Sequence, residues 1–88
     1  MYKLNEDYEK MELDEEIILQ NNVTGEVHIL NHTATIIFNL LIENVSIEKI
    51  SRNIMNKYSN LSEEEVKIDI EQTKDILIEK SIIIIHEN

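Results

Sequence analysis

The apolar residues of this chain change their period once, near residue 33, and that change limits the folds open to it. Ahead of it they fall in short runs or alternate with polar residues, as in half-buried strands. Behind it they recur every three to four residues, as on one face of a helix. Ile17, Ile18 and Leu19 make Glu16 to Gln20 a strand. Glu26 to Leu30 alternates, with Glu26 and His28 on one side and Val27 and Ile29 on the other. Asn21-Asn22-Val23-Thr24-Gly25 between them reads as a turn, because Asn and Gly tolerate positive φ. Together these segments predict a hairpin. Tyr8 to Leu13 alternates more loosely and is a third strand candidate, so two or three antiparallel strands are expected.

Three helices should follow. Ile36, Ile37, Leu40 and Leu41 set the apolar stripe of a helix over Thr33 to Glu43, with Asn31 as its N-cap and Asn44 as its stop. Ser46 caps the next, whose face is Ile47, Ile50, Ile54 and Tyr58. Ser59-Asn60-Leu61 makes a turn. Ser62-Glu63-Glu64-Glu65 is a capping box, and its carboxylates suit the positive end of a helix dipole. That third and longest helix runs to about Lys80. Its inward stripe is Val66, Ile70, Thr73 and Leu77, and Ile68, Ile76 and Ile78 lie off it. This is more apolar surface than one core face needs. The last apolar run, Ile82 to Ile85, is expected to be buried, because left exposed it would promote aggregation. Strands followed by three helices make an α+β domain, like a winged helix-turn-helix with its strands first.

The 88 residues suit one domain, 1–88, with a modest core. Eighteen acidic and eight basic residues give a net charge of −10. Phosphate binding needs clustered Lys and Arg, but Arg52 is the only Arg and the lysines are scattered, so neither nucleic acid nor an anionic membrane is an expected partner. A basic or neutral polypeptide suits the charge better. With no Cys there is no disulfide or thiolate chemistry, and a single Gly leaves no phosphate-cradling loop. His28, His32 and His86 have no metal-site spacing, and no catalytic motif occurs, so no metal, cofactor or enzymatic activity is expected. The first residues lack the apolar run of a signal peptide and no stretch reaches a membrane span, which makes the cytoplasm the expected compartment.

Several of these segments, in this order, resemble the PqqD-like family. Leu30-Asn31, Thr33-Ala34, Ile37 and Leu40-Leu41 are similar to its LN-x-TA start of the first helix. Val45-Ser46-Ile47-Glu48-Lys49-Ile50 resembles its second-helix start. Val66, Asp69-Ile70, Leu77 and Glu79-Lys80-Ser81-Ile82 resemble its third-helix signature. The likeness covers residues 16 to 83. Asn44 and Ser81 replace glycines of the family pattern, Ile37 stands where an aromatic residue is frequent, and Thr73 stands where an apolar residue, often Phe, is common.

The resemblance implies a precursor-peptide recognition element. Such domains bind the leader of a ribosomally made precursor as an added strand and present it to a modifying enzyme, often a radical SAM enzyme. Carried onto this chain, the receiving strand is Glu26, Val27, His28, Ile29 and Leu30, and the helix beside it supplies Ile68, Gln72 and Ile76. Val27 or Ile29 with Ile68 and Ile76 would form an apolar groove, and Glu26, Glu65 and Asp75 would meet a basic leader. The extra isoleucines of the third helix suit core packing or a homodimer contact equally well. Two other functions stay open: a DNA-binding winged helix, with only Lys49, Arg52 and Lys57 on its second helix, and a structural or regulatory enzyme subunit that binds no peptide.

Overall fold

The computed structural model describes residues 1–58 and 60–86. Ser59 of the turn expected before the third helix lies outside them. Among the described residues the strands are β1 (Tyr2–Leu4), β2 (Tyr8–Leu13), β3 (Glu16–Asn21) and β4 (Val27–Leu30), then helices α1 (His32–Ile42), α2 (Ile47–Lys57) and α3 (Glu63–Glu79), and last a strand β5 (Ile83–Ile85). β2, β3 and β4 form an antiparallel meander with β3 in the centre, and β1 pairs separately with β5.

The turns follow from local chemistry. Asp14 takes φ 53 between β2 and β3, a conformation that Asp tolerates better than most residues. Between β3 and β4, Asn21 Oδ1 accepts from the Val23 and Thr24 amides at 2.8 and 3.0 Å, and Gly25 takes φ 80. All three expected N-caps are formed. Asn31 accepts from the Ala34 amide at 2.9 Å, Ser46 from Lys49 at 3.3 Å and Ser62 from Glu65 at 3.2 Å. Each is worth about 1 kcal/mol.

The core lies between one face of the meander and the helices. Tyr8, Ile17 and Leu19 enter it from the sheet, Ile37, Phe38 and Leu41 from α1, and Ile50 and Ile54 from α2. Val66, Ile70 and Leu77 of α3 close it, with Ile82 and Ile83 beyond. Buried side chains of this size contribute about 1.5–3 kcal/mol each. The Tyr8 hydroxyl donates to the Lys80 carbonyl at 3.2 Å, tying the sheet to the end of α3.

The two ends of the described chain form a clasp that periodicity did not announce. Tyr2 sits opposite Ile85 and Leu4 opposite Ile83. The Asn5 amide donates to the Ile82 carbonyl at 2.9 Å, and the Tyr2 amide to Asn44 Oδ1 at 2.9 Å. The expected burial of Ile82 to Ile85 holds for Ile82 and Ile83, whereas Ile85 is exposed.

Candidate functional site

Backbone direction decides what each sheet edge offers. The Asn21 amide donates to the Glu26 carbonyl at 2.8 Å, which marks Asn21 and Glu26 as facing each other across the ladder. Hydrogen bonding alternates along antiparallel strands. His28 and Leu30 therefore turn their backbone groups to β3, and Val27 and Ile29 turn theirs to the far side of β4. Among the described residues no strand pairs with that side. On β2 the Asn22 amide donates to the Asp7 carbonyl at 2.7 Å. The same alternation directs the backbone groups of Lys10 and Glu12 to the other edge.

The side chains of the two edges differ. On β2, Lys10 and Glu12 pair at 3.3 Å, and charge on an edge discourages further pairing. β4 reads Val-His-Ile-Leu, with no carboxylate, Lys or Arg. Val27 is 55% and Ile29 66% exposed. An apolar edge with its backbone groups turned outward is suited to receiving an extended peptide.

Directly after β4 a groove of about 340 Å³ opens between α1 and α3. Asn31, Thr33, Ala34 and Ile37 form one wall, and Asp69, Gln72, Thr73 and Ile76 the other. It exists because small side chains, Ala34, Thr33 and Thr73, meet where two helices would otherwise fill the space. Thr35 stiffens the junction by donating its hydroxyl to the Leu30 carbonyl and accepting from the Ile17 amide, both at 3.2 Å. Asp69 gives the groove a carboxylate. Lys74, outside the groove lining, is engaged by Glu71 at 2.8 Å, and that hydrogen bond holds its pKa above the ordinary lysine value.

Two of the residues singled out from the sequence, Gln72 and Ile76, line this groove. Glu65, Ile68 and Asp75 are exposed on α3 with them, at spacings of three to four residues. Val27 and Ile29 are placed elsewhere: they project from the face of the sheet away from the core, so they do not share a groove with Ile68 and Ile76. Glu26 precedes β4 rather than belonging to it. His28 and Leu30 are half-buried on the core side. His28 Nε2 lies 3.3 Å from Glu26 Oε2, without hydrogen-bond geometry, and its ring stands 6.1 Å from that of Tyr8. The other six lining residues, Asn31, Thr33, Ala34, Ile37, Asp69 and Thr73, were not expected from the sequence to form a groove. The usable signal was three small side chains on two helix faces that must approach each other.

Among the described residues no cluster of three His, Asp or Glu is arranged to hold a metal ion, and no helix is long and apolar enough to cross a membrane.

Strands first, three helices after, and an open sheet edge that runs into the α1–α3 groove define a winged-helix-like α+β domain. Its sequence matches the family described as coenzyme PQQ synthesis protein D (PqqD) over residues 16–83, and the chain belongs to that family. Two solved structures share the fold. TbiB1 in complex with the TbiA(beta) leader peptide is 22% identical, with a TM-score of 0.81 over 98% of this chain and 99% of that one. Lasso peptide synthetase B1 complexed with the leader peptide is 19% identical, with a TM-score of 0.83 over 96% and 98%. No curated protein sequence gives a significant match.

Proposed function

We propose that this protein is a non-catalytic adaptor that binds the leader of a ribosomally synthesised precursor peptide by strand addition at β4 and presents it to a modifying enzyme. The observation that carries the reading is the unguarded edge at Val27 and Ile29, leading directly into the α1–α3 groove. Main-chain hydrogen bonds along the edge supply affinity that does not read sequence. Side chains reaching Gln72 and Ile76 supply discrimination. Asp69 in the groove, with Glu26, Glu65 and Asp75 exposed, favours a leader with basic residues and hastens encounter. Both similar structures hold leader peptides, which supports the same class of ligand here. The family membership supports a modifying enzyme as the second partner, for example a radical SAM enzyme.

The test is an amide NMR titration with synthetic peptides covering the N-terminal parts of short reading frames beside the gene. Saturable shifts along Val27–Leu30 and around Gln72 and Ile76 are expected. A folded sample whose spectrum ignores every such peptide, yet shifts DNA in a low-salt gel, would replace this reading with a nucleic-acid one.

A further inference from the structure

Met11, Ile18 and Ile29 stand in one row across the three strands, Met11 opposite Ile18 and Ile18 opposite Ile29. Successive side chains of a strand alternate between faces, so this row lies on the side away from the buried Ile17 and Leu19. An outer sheet face is ordinarily polar. Here the neighbouring row does begin Glu9, Gln20, yet the Met11–Ile18–Ile29 row is apolar from edge to edge. Met11 is 59% exposed and Ile29 66%. Ile29 is also one of the two residues whose backbone groups face the open edge. An antiparallel strand added there hydrogen-bonds through Ile29, and its directly opposed residue stands beside the Ile29 side chain, about 5 Å away between Cβ atoms.

We propose that the Met11–Ile18–Ile29 row is a second reading surface, selecting peptides that carry a β-branched or aromatic residue opposite Ile29. The two sequence neighbours of that residue turn to the core side, towards the groove. A bound peptide is thus read on both faces of the sheet. The proposal rests on strand addition at β4 and assigns the chemistry of one peptide position. A second copy of this chain is the poorer occupant, because each copy carries a net charge of −10 and pairing them opposes like charges.

The experiment is selection of a phage-displayed random dodecapeptide library on the full chain. Amide NMR then maps the selected peptides, and cross-strand NOEs to Ile29 fix their register. The expected result is enrichment of Ile, Val, Tyr or Phe opposite Ile29. Ile29→Thr, which keeps the β-branched shape, and Ile18→Thr, one strand further in, should each weaken the selected peptides by about two- to fivefold. Thermal unfolding confirms that both variants fold. Peptides that shift the Val27–Leu30 amides but accept Lys or Glu opposite Ile29 as readily as Ile would overturn the row and leave strand addition standing. Selected peptides that leave those amides unshifted would overturn both.

Discussion

β2 and β4 flank the same central strand, and each turns a set of backbone N–H and C=O groups away from it. Physical chemistry makes both edges sticky. On β2 the outward backbone groups belong to Lys10 and Glu12, which pair with each other at 3.3 Å. A new strand there would have to accommodate two charges. On β4 they belong to Val27 and Ile29, which gain from being covered. A small domain with two open edges risks polymerising through both. Guarding one and opening the other leaves a single edge of the meander suited to an extended ligand. The difference between a hazard and a binding site is therefore carried by a few side chains and not by backbone geometry.

The comparison can be tested most severely at the strand both edges share. Leu19→Ala should cost about 2–5 kcal/mol in chemical denaturation, because Leu19 is fully buried, and peptide binding should disappear with the fold. Closing one edge is more selective. Val27→Pro removes an N–H directed at the open side while keeping the ladder to β3. It should weaken peptide binding by about tenfold with little change in thermal unfolding, whereas Lys10→Pro on the opposite edge should leave peptide affinity unchanged. Opening the guarded edge is the converse. The double variant Lys10→Ile, Glu12→Val should sediment as a mixture that shifts with concentration, and an unchanged monomer would show that charge is not what protects β2. The smallest effect is electrostatic. Asp69→Asn should slow association of a basic peptide by about two- to threefold and leave its dissociation rate nearly unaltered, measured by stopped-flow fluorescence.

Much of the scaffold was legible because local signals and burial agree. Asn31, Ser46 and Ser62 mark the helix starts, and the stripes through Ile37, Ile50 and Ile70 mark the buried faces. Asn44 and Ser81, where the resemblance leads one to expect glycine, take φ 61 and 58, the left-handed region that glycine favours. β1 was not legible. Tyr2–Leu4 is too short to show a period, and it is held extended by partners distant in sequence, Ile83–Ile85 and Asn44. The alternation of Glu26 to Leu30 assigned its two faces. It could not say which face carries the groove, since that depends on how α3 lies against α1. The groove is likewise a tertiary product: Thr73 is read from the sequence as part of the inward stripe of α3, and it is one of the small side chains lining the space between the helices.

The clasp between β1 and β5 has a consequence for the order in which the molecule is made. Ribosomal synthesis delivers Tyr2–Leu4 long before the strand that pairs with it, Ile83–Ile85, which follows the whole of α3. The meander and the helices can associate while the chain is still growing, because their contacts are mostly between neighbours in sequence. Among the described residues β1 has no other strand partner, so its ladder waits for β5. Contacts so distant along the chain form slowly, so the clasp should be the final event of folding, a latch that closes only on a chain translated through β5.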